Sequence, residues 1–194
     1  MNRWILMIMI GWMGITSAAA AGDPLPRVKL ITSQGNIVVE LNRAAAPQTV
    51  ANFLAYVKDG FYDGTIFHRV IAGFMIQGGG LDAAMQRKPT RPPIHNEADN
   101  GLTNLVGSIA MARTSDPHSA TAQFFINVKD NAFLNHRSKT PKGWGYCVFG
   151  RVVSGMNVVR TIEKVPTTSR AGMRDVPQTP VKIKQVTLIS AVNT

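Results

Sequence analysis

The side chains best suited to chemistry lie between Ile66 and Gly80, where His68, Arg69 and Gln77 stand among Phe67, Val70, Ile71, Phe74, Met75 and Ile76. Alternation predicts a strand with Ile66, His68 and Val70 on one face and Phe67, Arg69 and Ile71 on the other. A guanidinium flanked by Phe and Ile is either a solvated charge or a group held beside an apolar pocket. After a turn at Gly73, Phe74 to Gln77 supply a second apolar segment carrying one amide. Gly78, Gly79 and Gly80 then read as a turn that lets the backbone leave and keeps the neighbouring space open. One guanidinium and one amide on an apolar platform suit a neutral, partly apolar ligand better than a phosphate. The glycines also lack the Lys-Ser/Thr ending of a phosphate-binding loop. His68, His95, His118 and His136 are widely spaced, and no Cys or His pair has metal-ligand spacing, so no metal is expected. No Gly-x-Ser-x-Gly nucleophile elbow occurs.

The surrounding pattern says what must position these groups. Val28 and Leu30, then Ile37, Val39 and Leu41, alternate around Ser33-Gln34-Gly35-Asn36, which predicts two strands joined by a tight turn. Pro47 fits a first helical turn, Val50, Phe53, Leu54 and Val57 recur at helical spacing, and Gly60 fits a terminator. Short strands are expected at 108–111, 123–127 and 146–153, with a second helix over 155–165 and a last strand over 181–189. The segment 85–104, broken by Pro89, Pro92 and Pro93, reads as irregular, as does a loop with Pro166, Pro177 and Pro180. Parallel βαβ units would need helices after most strands, and those are missing. A mostly antiparallel closed sheet with helices covering its ends fits better.

At 194 residues, 45% hydrophobic and 16% charged, the chain can bury one sizeable core. Lys and Arg number 21 against 11 Asp and Glu, but no basic block forms, so a generally basic surface is favoured over a nucleic-acid patch. Residues 1–21 have a basic start, an apolar run from Trp4 to Ile15 and the small residues Ala19-Ala20-Ala21, the layout of a cleavable export signal. That run falls short of the roughly 20 residues needed to span a bilayer. The mature chain, 22–194, is then one exported domain with no membrane association. The single Cys147, in the apolar Tyr146-Cys147-Val148-Phe149, reads as a buried, inert thiol.

The motifs running from Phe67 to Gly79, Ser108 to Ala112, Gln123 to Ile126 and Val148 to Val152 resemble the cyclophilins, the barrel family of peptidyl-prolyl isomerases. They keep that family's order across nearly all of the mature chain, and the compact loops and signal segment resemble its bacterial periplasmic branch. The resemblance implies a closed eight-stranded antiparallel β-barrel capped by two α-helices, with the site on its outer face. It implies a cofactor-free, monomeric periplasmic enzyme acting on proline-containing polypeptides and assisting the folding of exported proteins. By motif position Arg69 would be the catalytic arginine, with Gln77 and His68 completing the catalytic group. Phe74, Met75, Phe125 and Leu134 would form a proline pocket, with Gln123 beside it and Ala112 and Arg113 holding the peptide backbone. Phe133 and Tyr146 would also touch substrate; they stand where many relatives carry Trp and His, and Phe133 sets the chain against tight cyclosporin binding. The same groove without catalysis would be a peptide-binding or chaperone module.

Overall fold

The computed structural model describes residues 25–189. The export signal expected over 1–21 lies outside them. The first hairpin is β1 (Arg27–Thr32) and β2 (Gly35–Leu41), followed by α1 (Pro47–Lys58), β3 (Thr65–Ile71) and β4 (Met75–Asp82). Then come β5 (Ser108–Met111), β6 (Phe124–Asn127), β7 (Val148–Ser154), α2 (Met156–Ile162), β8 (Thr167–Arg170), β9 (Met173–Pro177) and β10 (Val181–Ile189). Eight strands close into a barrel in the order β1-β10-β3-β4-β6-β5-β7-β2, with every pairing antiparallel. Closure leaves the barrel itself no free edge. The expected mostly β, eight-stranded barrel with two helices is the observed one.

Helix α1 starts at Pro47, where a missing N–H costs nothing, and has no side-chain cap of its own. Glu97, from the long 83–107 connection, replaces the cap. Its carboxylate accepts the Gln48 and Thr49 amides at 3.0 and 2.8 Å and the Thr49 hydroxyl at 2.8 Å. Orphan donors are satisfied and a negative charge meets the positive end of the helix. The buried face, Val50, Phe53 and Val57, enters the main core. There the Phe53 ring packs on Tyr62, Phe149 and Phe124 at 5.1, 5.2 and 5.7 Å between centroids. Val159 and Ile162 of α2 join the same core.

Strict alternation fails in β3. Phe67 and Val70 both belong to the barrel core, whereas they were expected on opposite faces. Pairing with β4 steps from Phe67–Gly78 to Arg69–Gln77, two residues against one. That is a bulge at His68, and it lets His68 and Arg69 in succession leave the interior.

The glycines also differ from expectation. Gly78, Gly79 and Gly80 lie within β4 and form no turn. A Cβ on Gly79 would stand 2.7 Å from the Phe124 ring and 2.9 Å from that of Tyr62, and one on Gly80 2.4 Å from Gln123 Cγ. Close approach by side chains is what these positions require.

The Pro-containing loop after α2 holds a hairpin, β8 paired with β9. Its turn residues Ala171 and Gly172 have φ of 51° and 75°, the doubly positive geometry of a two-residue hairpin turn. Val176 and Met173 pack it onto Ile66 of β3 and Leu81 of β4.

Candidate active site

Strand register brings the chemistry-bearing residues together. Arg69 of β3 is opposite Gln77 of β4, Gln77 is opposite Phe125 of β6, and Phe125 is opposite Ala110 of β5. The next row, Val70, Ile76, Ile126 and Ile109, belongs to the barrel core. Because side chains alternate, Arg69, Gln77 and Phe125 share the outer face at neighbouring positions. Met75, Phe125, Leu134 and Val148 form a separate apolar cluster there, with Phe74 and Tyr146 packed against it.

Beside this row is a cavity of about 110 Å3 lined by Arg69, Phe74, Met75, Gln77, Ala112, Arg113, Phe125, Leu134 and Tyr146. Pockets for drug-sized ligands run to about 300–1,000 Å3, so this one suits a single small ring. Its walls are tied down from behind. The Asn131 side chain donates to the Phe74 carbonyl at 2.9 Å and to Asn127 Oδ1 at 2.7 Å. Asn127, fully buried, donates in turn to Asn104 and Ser108. The Tyr146 amide donates to the Leu134 carbonyl at 2.9 Å, joining two walls directly. Arg113 donates through Nε to the Gly145 carbonyl at 2.9 Å, and its guanidinium lies 4.6 Å from the Tyr146 ring centroid.

A second, more open recess of about 490 Å3 adjoins the pocket and shares Arg69, Gln77, Ala112 and Arg113 with it. His68 and Gln123 line this recess and not the small pocket. Gln77 Nε2 donates to Gln123 Oε1 at 3.1 Å, so its partner is Gln123 rather than Arg69. His68 is 4% exposed and its Nδ1 has no hydrogen-bond partner. Burial, then the charge of Arg87, holds its pKa down to about 4, so the imidazole is neutral at physiological pH. Phe133 lines neither cavity; it is 64% exposed and stacks on Phe74 with centroids 5.6 Å apart. Cys147 is buried, and burial pushes its thiol up to about 11, well away from nucleophilic use.

Sequence reasoning did not single out Asp175, whose carboxylate stands 3.8 Å from Arg69 Nε, or Met173 and Arg174 beside it. Asp175 has φ of 63°, a left-handed backbone uncommon outside glycine. All three come from the unforeseen hairpin, and nothing local in the sequence links them to β3. Among the described residues, no three His, Cys, Asp or Glu side chains are grouped as ligands for an ion.

A closed barrel whose outer wall carries a ring-sized pocket, apolar on one side and edged by Arg69 and Arg113, has the form of a peptide-handling protein of the cyclophilin kind. Comparisons with known proteins agree. The family described as cyclophilin type peptidyl-prolyl cis-trans isomerase/CLD matches residues 27–188. A peptidyl-prolyl cis-trans isomerase of Streptomyces antibioticus is 65% identical over 162 residues, 84% of this chain and 98% of its own length. Peptidyl-prolyl cis-trans isomerase B of Escherichia coli is 58% identical over 158 residues, covering 81% and 96%. Peptidyl-prolyl cis-trans isomerase A of Dickeya dadantii is 49% identical over 191 residues, covering 97% and 99%. Among solved structures, a cyclophilin type peptidyl-prolyl cis-trans isomerase of Cryptosporidium parvum aligns with a TM-score of 0.70 at 28% identity, covering 86% of this chain and 98% of that one. The chain therefore belongs to the cyclophilin family. It is a peptidyl-prolyl cis-trans isomerase, and its substrates are proline-containing peptides.

Proposed function

We propose that the small pocket holds the substrate's prolyl ring and that Arg69 stabilises the twisted amide beside it. The observation that carries this reading is the row Arg69–Gln77–Phe125 at the edge of a cavity of about 110 Å3. Rotation about a peptide bond meets a barrier of about 18–20 kcal/mol because conjugation must be broken. X-Pro bonds have both isomers accessible but exchange over tens to hundreds of seconds. No covalent step is needed. The enzyme holds the ring, lets the preceding carbonyl turn, and favours the twisted form over both planar ones.

In that form the prolyl nitrogen becomes pyramidal and gains a lone pair. Arg69 donates to it, and a guanidinium stays charged at every relevant pH. A charge-assisted hydrogen bond contributes roughly 1.5–3 kcal/mol. At about 1.4 kcal/mol per tenfold in rate, Arg69 supplies one to two powers of ten, and burial and positioning supply the rest. Phe74, Met75, Phe125, Leu134 and Tyr146 enclose the ring, and Phe133 extends the apolar rim beyond Phe74. The backbone at Ala112 and Arg113 holds the peptide. Gln77, supported by Gln123, orients the turning carbonyl. His68 acts as an uncharged wall, since burial and the nearby Arg87 keep its imidazole neutral at physiological pH.

We further propose that residues 1–21 are removed on export, leaving 22–194 as a monomeric, cofactor-free periplasmic enzyme of the bacterial exported branch that assists folding of exported proteins. The basic start, the short apolar run and Ala19-Ala20-Ala21 support this. The assay is protease-coupled isomerisation of an Ala-Pro peptide, with Arg69→Ala beside the unaltered enzyme. A fall in kcat/KM of about ten- to a hundredfold supports the assignment, and an unchanged rate removes Arg69 from the mechanism. Mass measurement of the mature protein recovered from the periplasm of a bacterial host tests the cleavage. A chain found only in the cytoplasm with residues 1–21 attached would overturn export.

A further inference from the structure

The recess beside the small pocket concentrates charge that the sequence spreads widely. Four guanidiniums line it, those of Arg69, Arg87, Arg113 and Arg174, against the single carboxylate of Asp175. Asp175 stands 3.8 Å from Arg69 and offsets that charge. Among the described residues the other three have no such partner. Arg113 is fixed entirely by neutral groups, donating to the Gly145 and Thr114 carbonyls at 2.9 and 2.8 Å. Arg87 and Arg174 are exposed at the rim, and among the described residues neither makes a salt bridge. The three reach the recess from separate parts of the fold: the connection after β4, the end of β5, and β9. In the recess wall His68 adds a buried Nδ1 without a partner.

The recess and the small pocket share walls, and an extended chain advances about 3.3–3.6 Å per residue. With the prolyl ring held as proposed above, a side chain one to three residues away in the peptide reaches the recess. We infer that the recess receives an acidic side chain of the substrate, and that Arg87, Arg113 and Arg174 make this isomerase favour prolines flanked by Asp or Glu. Lined clefts of one sign raise the local concentration of oppositely charged ligands, and the effect weakens with salt. This selectivity rests on the isomerase reading of the small pocket.

The test is a set of blocked Ala-Pro peptides carrying Glu, Gln or Lys at each of the three positions before and after the Ala-Pro unit, with exchange followed by NMR. At one flanking position kcat/KM for the Glu peptide should exceed that for the Lys peptide by about five- to tenfold at low salt. Raising ionic strength to about 0.5 M should bring the ratio below about twofold. The double reversal Arg87→Glu with Arg174→Glu should bring the ratio to unity or invert it. Both peptides are measured on one preparation, so loss of folded protein cancels from the ratio. Equal rates for Glu and Lys at every position, with the Gln peptides still turned over, would overturn the inference and leave the isomerase reading standing. A Glu preference that survives both salt and reversal would also overturn it. Absence of catalysis on every peptide would remove both readings.

Discussion

Arg69 and His68 are neighbours in the chain with opposite electrostatic characters. The guanidinium keeps its charge throughout, whereas burial and Arg87 hold the imidazole pKa at about 4. The unfolded chain titrates His68 near about 6.5. Above that value both states are neutral and the group contributes nothing to the pH dependence. As pH falls from there towards 4, the unfolded state takes up a proton that the folded state refuses, and stability is lost. A shift of this size corresponds to at most about 3 kcal/mol. His68→Gln should therefore flatten the dependence of the urea midpoint on pH between 7 and 4 relative to the unaltered protein. Equal slopes would contradict the buried, neutral assignment. At this scale Arg69, Gln77, Phe74 and Met75 stood out locally by type and spacing, whereas their grouping with Phe125 into one pocket came from the resemblance to the cyclophilins. Asp175, Arg87 and Arg174 were not, since only tertiary folding carries them to β3 and β4. Phe133, read as a substrate contact, is exposed and lies outside both cavities, stacked on the pocket residue Phe74.

Strand geometry decides what those residues can do. The bulge at His68 turns Arg69 onto the outer row, and the pairings with Gln77 and Phe125 align the row with the pocket. An alternation pattern cannot show a bulge, because one extra residue inverts every later assignment. The glycines of β4 were misread for a related reason: their partners, Tyr62, Phe124 and Gln123, come from other segments. Gly80→Ala should push Gln123 aside, because the new Cβ would lie 2.4 Å from its Cγ. Overpacking of this kind costs about 1–3 kcal/mol. With Gln77 deprived of its partner, kcat/KM should fall several-fold while the melted fraction stays small at 25 °C. A variant with full activity and the Gln77–Gln123 hydrogen bond intact would show that the cross-strand support is dispensable. The β8–β9 hairpin was hidden by Pro166 and Pro180, which flank it, by Pro177, which ends β9 without breaking it, and by an Ala-Gly turn weaker as a signal than Asn-Gly.

At the level of the whole molecule, the barrel class was legible because two helices far apart cannot cross over between parallel strands. The strand order was not, since closure of β10 between β1 and β3 depends on pairs more than a hundred residues apart. Charge ties together the strands on the other side of β1. Glu40 of β2 accepts from Arg27 of β1 at 2.8 Å and from Arg151 of β7 at 3.0 Å. The Arg27 hydrogen bond, against burial and with help from Arg151, holds its carboxyl below the usual range. A lowered folded pKa gives stability that is present above about pH 4.5 and lost as pH falls through the folded value. The arginines are largely exposed, so solvent screens the pairs and each contributes up to about 1 kcal/mol. Glu40→Gln should lower the urea midpoint at pH 7, with the difference from the unaltered protein vanishing near pH 2–3. A difference that persists at low pH would assign the effect to packing instead.

The central claim is that a fixed guanidinium stabilises the twisted amide, and Arg69→Lys tests it most directly, because charge is kept while the fork of donors is lost. Exchange of an Ala-Pro peptide, read by NMR under saturation, gives the catalysed rate, and titration of the same peptide gives its affinity. The account predicts a rate at least about tenfold lower with Kd changed less than about twofold, since the interaction belongs to the transition state. A variant that keeps the full rate, or that loses rate only in proportion to affinity, would contradict it.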